Sequence, residues 1–483
     1  PMELLVLEKF TMDLKKINSI HFTGIKGVGM TALALCAQDL GKKVSGSDTD
    51  EIFPTDKVLK QRKLKPKVGF KESNLPKKLD FLIHTGAHGG STNLEVITAQ
   101  KRGIPTLNLA QGLKLFTKDK QVIAVAGVGG KSTTSSMLAV LLDSAGLLPS
   151  FSVGVGSIKN LDAPGRFSKK SKFFVVEADE YVADPTADKT PRFHYLDPSI
   201  AILTNIEHDH PDVYPTIEDI FAAYKIFISN VPHNGAIIAN IDNQGIKKFI
   251  KTIDKPVTTY GFSPQSDWQI TKTHHADQKQ FFNLKTKGIE WPQMVLNVPG
   301  AYNVLNATAA VIAAHQLGVK PDKIKAGLKK FQGSSRRFEF KGEVKGILLY
   351  DDYAHHPIEI ASLLKAAKNW LPDRRIIAVF QSHTFSRTKT LLQEFSKSFK
   401  HADTVLINDI FSSARETDNL GLTGQIFADS VKKHHPKVKY CSGKSQTIKH
   451  LVDHSLKGDA IFTIGAGNNF LWHQDIIKAL KKR

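Results

Sequence analysis

The chain has 483 residues, a hydrophobic share of 41% and a formal net charge of +20 from 66 Lys and Arg against 46 Asp and Glu. That is about three domains' worth of length at one per 100–200 residues. No apolar run reaches the roughly 18 residues of a membrane span, and no small-residue cleavage site follows the apolar start, so a soluble, unexported, cytoplasmic protein without membrane insertion is expected. The only two cysteines, Cys36 and Cys441, lie far apart, outside any metal-ligand spacing, and suit a reducing compartment. The lysines are dispersed along segments such as DKIKAGLKK and ALKKR, with no arginine-rich or aromatic-interleaved block. The positive charge therefore reads as a solvated surface that attracts anionic metabolites, and no nucleic-acid partner is expected.

The first predicted strand, SIHFTG, runs into GIKGVGMTALALCAQDL, where Gly27, Val28, Gly29 and Ala32 form G-x-G-x-x-A before an Ala/Leu helix. This is a Rossmann-like first turn, and Asp48 closes the next strand, KKVSGSD, about 20 residues on, where an acid meets a ribose or base. Alone, the turn fits NAD, FAD, a sugar nucleotide or a ligand-free helix–sheet contact equally. A third run, LDFLIHTGAHGG, places His84, Thr85 and Gly86 on the same rim, and repeated units of this kind imply a parallel sheet.

A boundary falls near LNLAQGLKLFTKDKQ, after which VIAVAGVGGKSTT reads as strand, phosphate loop and helix start. Gly127, Gly129 and Gly130 let successive amides converge, and the helix opened by Ser132 and Thr133 turns its positive dipole end toward an anion. Lys131 is placed to lie against the outer phosphates, with a Ser132 or Thr133 hydroxyl on Mg2+. The spacing is shorter than the common Walker pattern, because Val125 stands where its first glycine would be. The plainer alternative is a glycine turn with a solvated lysine.

Later runs, KFFVVEADEY, SIAILTNIEHDHPDVY and GAIIANIDN, each end in acids, amides or histidines. Ligands in open α/β sheets sit beyond the carboxyl ends of strands, so Lys131, Glu177, Asp179, Asn205, Glu207, Asp209 and His210 are expected in one crevice. Glu177 offers the oxygen that magnesium prefers, and His210 can join a second metal. Residues from about Thr258 to Met294 resemble peripheral antiparallel strands. Asn303 then stands near the start of the helix in PGAYNVLNA, as an adenine reader or a simple helix-start residue. The last series, GILLYDDYAHHP, RRIIAVFQSHTFSRT, DTVLINDIFSSARE and DAIFTIGAGN, puts Asp351, Asp352, His355, His356, His383, Arg387 and Arg415 on another rim. The HHP pair reads as orienting a substrate or phosphate oxygen, with Glu359 the one carboxylate at following helical spacing.

The ordered set GIKGVGM, GVGGKSTT, VEADE, NIEHDHPD, PGAYNVLNA, FQGSSRRFE, DDYAHHP, SHTFSRT and GAGN resembles the Mur ligases across the whole chain. The resemblance implies three α/β domains: a Rossmann-like N-terminal domain over 1–117, a central P-loop ATPase-like domain over 118–332 and a Rossmann-like C-terminal domain over 333–483. It implies ATP and Mg2+, phosphorylation of a carboxylate, and displacement of the phosphate by an amine. The substrates so implied are UDP-N-acetylmuramate and L-alanine, with a preformed tripeptide as the alternative acceptor, and the enzyme acts as a monomer or homodimer. By matching position, Lys131, Glu177, His210 and His355 are catalytic. Ser132, Thr133, Glu177 and His210 hold metal, and Gly127, Gly129, Gly130, Lys131, Ser132, Thr133, Asn303, Arg337 and Asp351 hold ATP. Gly27, Val28, Gly29, Asp48 and His84 hold the UDP-sugar, while Tyr353, His355, His383 and Arg387 shape the amino-acid pocket. Four positions depart from the pattern: Val128 and Gly129 replace a threonine and histidine, Tyr302 replaces a histidine, and Thr384 replaces an arginine.

Overall fold

The computed structural model describes residues 13–412, 416 and 418–483. Strands β1 (Ser19–Thr23), β2 (Lys43–Asp48), β3 (Lys67–Val68), β4 (Phe81–His84) and β5 (Thr106–Asn108) form a parallel sheet in the order β3-β2-β1-β4-β5. The order reverses at β1, so the crevice beyond its carboxyl end opens at the glycine turn. The helix Val28–Asp39 is buried from Met30 through Ala37. An amphipathic stripe would bury one face only; here the opposite face is covered by the next domain, which explains the Ala/Leu composition. The approach is close: a Cβ added to Gly165 would stand 2.2 Å from the Ala32 carbonyl oxygen.

The central sheet has eleven strands. They are β6 (Gln121–Ala126), β7 (Ser150–Ser152), β8 (Gly165–Arg166), β9 (Phe173–Glu177), β12 (Pro198–Leu203), β13 (Ala236–Asn240), β14 (Val257–Gly261), β15 (Trp268–Ala276), β16 (Lys279–Thr286), β17 (Ile289–Glu290) and β18 (Met294–Leu296). The order is β17-β16-β15-β14-β13-β12-β6-β9-β7-β8, with β18 beside β16. The Thr258–Met294 segment thus extends the main sheet: β14 pairs with β15 in parallel, and β15 to β18 are antiparallel. A separate hairpin, β10 (Val182–Asp184) and β11 (Asp188–Pro191), leaves this sheet and grips the first domain. Asp184 accepts the Ser91 amide at 2.8 Å, and Asp188 accepts from Asn108 Nδ2 at 2.8 Å and the Tyr195 hydroxyl at 2.6 Å.

The third sheet contains β19 (Glu339–Val344), β20 (Ile347–Asp352), β21 (Arg375–Phe380), β22 (Thr404–Ile407), β23 (Val438–Tyr440) and β24 (Asp459–Ile464) in the order β19-β20-β24-β21-β22-β23. Only β19 pairs antiparallel. Both cysteines are buried and free. Among the described residues, no helix is long and apolar enough to cross a membrane.

Candidate active site

The run from β6 into the helix Lys131–Ser144 turns on two glycines with left-handed backbone, Gly127 (φ +137°) and Gly130 (φ +85°). Side chains are excluded at both: a Cβ would lie 2.1 Å from Thr204 Oγ1 at Gly127 and 2.4 Å from Asn306 Oδ1 at Gly130. Between them Gly129 donates its N–H to Asn205 Oδ1 at 2.9 Å, and its carbonyl accepts from Thr204 Oγ1 at 2.6 Å and Asn205 Nδ2 at 2.9 Å. Residues just past the end of β12 therefore hold the loop through the Gly129 backbone. At Gly129 a Cβ would also come within 3.3 Å of Glu359 Oε1, a carboxylate brought in by the third domain.

Lys131 donates to both oxygens of Glu180, at 3.0 and 2.9 Å. Burial works against the ammonium, but Glu180, Asp179 and Glu177 outweigh it and hold Lys131 protonated. Burial pushes the Glu180 carboxyl up, opposed by Lys131 and reinforced by Asp179 and Asp209. Glu180, Asp209 and His210 form a group whose candidate ligand atoms all lie within 4.8 Å of one another. Burial lowers the His210 pKa and leaves a neutral imidazole with a free electron pair, despite Asp209 beside it. Two carboxylates and an imidazole suit a divalent cation. The sequence reading put Glu177 in that role; the structure keeps Glu177 in the same cleft but has it accept the Gly154 amide at 2.8 Å. Glu180 was overlooked because it lies past the end of β9, where strand alternation no longer says which way a side chain points. Three acids within EADE were the available signal.

Two cavities meet at this loop. One, of about 290 Å3, lies between the central and third domains and is lined by Gly129, Gly130, Thr133, Tyr302, Asn303, Arg337 and Asp352 among others. The second, of about 370 Å3, is walled by all three domains: Val28 and Gly29 from the first, Lys131, Ser132, Glu177, Glu180, Asp209 and His210 from the second, and Tyr353 and His355 from the third. Val128, Gly130, Arg337 and Glu359 line both. Arg337 donates to Ser132 Oγ across the domain boundary at 3.2 Å.

Several expected residues have other partners. Asp351 turns away from the nucleotide-side cavity: Arg336 Nε donates to it at 3.0 Å and Thr463 Oγ1 at 3.0 Å. Its neighbour Asp352 lines the cavity instead, accepting the Phe338 and Ala354 amides at 2.7 and 2.8 Å, and burial raises its carboxyl to about 6. Period-two alternation makes the two point oppositely, and β20 is apolar on both faces, so composition could not choose between them. Asn303 faces the cavity, yet its Nδ2 is committed to the Pro299 carbonyl at 2.7 Å. Asp48 accepts the Lys26 and Thr49 amides at 2.7 and 2.8 Å and so braces the glycine turn, with Gly27 as helix N-cap. His84 is buried, its Nδ1 on the Thr85 carbonyl at 3.1 Å.

On the third domain Tyr353 and His355 pack ring to ring at 5.2 Å, and burial drops the His355 pKa to about 3. Arg387, expected at a substrate carboxylate, donates to Asp209 Oδ1 at 3.1 Å and to the His383 carbonyl at 2.9 Å. Thr384 caps the short helix Phe385–Thr390. Arg415 lies outside the described residues.

A glycine-cradled phosphate loop, an acid–histidine cluster beside its lysine, and a cleft walled by three α/β domains define a multidomain nucleotide-using α/β enzyme. Family models match in chain order: "Mur ligase family, catalytic domain" over residues 19–121, "Mur ligase middle domain" over 125–314 and "Mur ligase, glutamate ligase domain" over 336–467. The chain belongs to the Mur ligase family. It is 36% identical over 469 residues to the UDP-N-acetylmuramate–L-alanine ligase of Geotalea daltonii, covering 97% of this chain and 99% of the relative. The protein of the same name from Caldanaerobacter subterraneus subsp. tengcongensis is 37% identical, covering 98% and 100%. Among solved structures, the UDP-N-acetylmuramate–alanine ligase of Thermotoga maritima shares the fold with TM-score 0.79 at 23% identity, covering 96% of this chain and 99% of that one. The murein peptide ligase of Psychrobacter arcticus aligns with TM-score 0.72 at 27% identity over the same shares.

Proposed function

We propose that this chain is the ATP-dependent ligase that joins L-alanine to the carboxylate of UDP-N-acetylmuramate in the cytoplasm, for peptidoglycan synthesis. The observation that carries the reading is full-length similarity, at 36% and 37% identity, to relatives named for that reaction. The cleft formed by all three domains around Lys131 is consistent with it. In this reading residues 1–117 hold the UDP-sugar, 118–332 hold ATP and 333–483 bring the amino acid.

Carboxylate attack on ATP brings negative groups together. Lys131, held by both oxygens of Glu180, offers a fixed positive charge where the phosphoryl group transfers. Arg337, hydrogen-bonded to Ser132, adds a second from the third domain. Glu180, Asp209 and His210 are the residues proposed to hold Mg2+, together with the Ser132 or Thr133 hydroxyl. Bound there, the ion supplies charge neutralisation and orientation of phosphoryl oxygens. Val28 and Gly29 form the first-domain wall of the cleft for the carboxylate donor, and Tyr353 and His355 the wall on the amine side, with His383 and Arg387 behind Asp209 proposed to complete the amino-acid pocket. His355, its Nδ1 held on the Tyr353 carbonyl at 3.0 Å, keeps Nε2 as a hydrogen-bond acceptor that can orient the attacking amine. The acyl phosphate between the two steps is shielded from water by the three-domain cleft.

The test is ADP release with UDP-N-acetylmuramate and either L-alanine or the murein tripeptide as acceptor. The proposal requires turnover that depends on the nucleotide sugar and is supported by L-alanine. Turnover with tripeptide alone would reassign the enzyme to the recycling reaction, and ADP formation independent of nucleotide sugar and amino acid would end the ligase reading.

A further inference from the structure

The carboxylate of Glu359 has one oxygen engaged and one open. Oε2 accepts the His355 and His356 amides at 3.0 and 3.2 Å, closing the first turn of the helix Pro357–Trp370 as part of a capping box. Among the described residues no donor reaches Oε1, and the side chain keeps 17% of its surface exposed. That surface faces ligand space, since Glu359 lines both the nucleotide-side cavity and the cleft walled by three domains. Oε1 also stands beside the phosphate loop. A Cβ at Gly129 would begin 3.3 Å from it, so the glycine that departs from the family pattern there leaves the carboxylate its place. Burial pushes the Glu359 carboxyl up, but His355, Arg337 and the His355 amide outweigh it and hold it below the ordinary 4.5, so the group is charged at neutral pH.

A charged oxygen bordering a cleft calls for a cation or an N–H donor. A metal ion is placed elsewhere: among the described residues the one group of three acid or histidine ligands is Glu180, Asp209 and His210, which does not include Glu359. A neighbour at the same helix start narrows the choice further. His355 donates from Nδ1 to the Tyr353 carbonyl at 3.0 Å, which leaves Nε2 an acceptor, and it too lines the three-domain cleft. One charged and one neutral acceptor suit a group that carries several N–H bonds and a positive charge. We propose that Glu359 is an acceptor-binding residue, its Oε1 receiving the ammonium group of the incoming amino acid while a second N–H goes to His355 Nε2. This rests on the ligase reading proposed above and adds to it which side chain takes the amine's charge. Both L-alanine and the tripeptide attack through an amine, so the role is the same with either. Because Oε1 stands beside Gly129, the amine is held next to the loop where the phosphoryl group transfers.

Glu359→Gln removes the charge with little cost to the fold, since glutamine at this helix position also completes a capping box. The experiment measures kcat/KM for the acceptor, KM for ATP and for UDP-N-acetylmuramate, the Mg2+ concentration giving half-maximal rate, and the melting temperature, for wild type and variant of the full chain. The expected result is a roughly 10- to 100-fold fall in kcat/KM for the acceptor, the scale of a hydrogen bond to a charged group. The other four quantities stay unchanged. Unchanged kcat/KM for the acceptor overturns the proposal. A raised Mg2+ requirement also overturns it, by making the carboxylate a metal ligand, as does a loss shared by the ATP KM, which marks a disturbed helix start. In each of these cases the ligase reading stands. Wild type that turns over with neither acceptor overturns both.

Discussion

The adjacent aspartates at the end of β20 allow a sharp test, because the structure assigns them opposite consequences. Asp351 is 1% exposed and pairs with Arg336, itself buried, at 3.0 Å. Neutralising it as Asp351→Asn leaves a buried guanidinium without its counter-charge, a change that costs about 3–5 kcal/mol. The amide keeps one acceptor for Thr463, which places the loss near the lower end, about 3 kcal/mol. At about 2–4 °C per kcal/mol for a domain of this size, melting of the third domain falls by about 6–12 °C. Asp352 behaves differently: burial raises its carboxyl to about 6, so the folded state favours the neutral form. A raised carboxyl contributes stability below its unfolded pKa that is lost as pH rises through the folded one, and above that its charge is a burden. Asp352→Asn is therefore expected to leave stability within about 1 kcal/mol of wild type at pH 7.5. Because its side chain lines the nucleotide-side cavity, the same variant should raise the ATP KM about tenfold or more, the scale of a hydrogen bond to a charged group. Thermal melts and ATP titrations of the two variants check both arms. Asp351→Asn raising the ATP KM at unchanged melting temperature would refute the side-chain assignment.

Lys131→Ala should lower kcat by at least about 100-fold, as loss of a fixed charge at a transferring phosphoryl group does, while UDP-N-acetylmuramate binding by calorimetry stays within a fewfold of wild type. Glu95, fully buried, accepts from His21, Thr23, Ser47 and Asn74. Burial alone would raise its pKa, but His21, Ser47 and Asn74 carry it below the ordinary 4.5. Its stabilisation is thus fully present above pH 4.5 and lost as pH falls through the lower folded value. Denaturation of wild type and Glu95→Gln from pH 7 to 3 should show a gap of about 1.5–3 kcal/mol that narrows only below about pH 4.5; a gap closing between pH 7 and 5 would contradict this. Gly165→Ala puts a methyl group against the backbone of Ala32, and a drop of several °C in the first melting transition is expected, checked by calorimetry.

Residues close in sequence were legible wherever local geometry alone decides. The phosphate loop is such a case: strand, glycines, lysine and helix start follow within thirteen residues, and their conformation follows from backbone sterics. The Rossmann-like turn was legible for the same reason, though Asp48 proved to brace the turn. The hairpin β10–β11 was not visible, since DPTADKTP has neither apolar alternation nor a two-residue Asn-Gly turn to announce it. Its strands are set by contacts with another domain. Which acid of EADE faces Lys131, and that Arg387 faces Asp209, are set by packing between residues far apart in sequence.

By itself the sequence determined the domain order, the three α/β sheets, the loop that cradles phosphate and the family, because each is written in short-range periodicity and contiguous motifs. Tertiary structure alone decided which acid faces Lys131 and which of Asp351 and Asp352 enters the cavity. Those outcomes depend on groups meeting across domain boundaries or sheet ends, as Lys131 meets Glu180 49 residues on and Ser132 meets Arg337 205 residues on. Pairings of that kind are settled by burial and charge in the assembled core, where every neighbour competes at once.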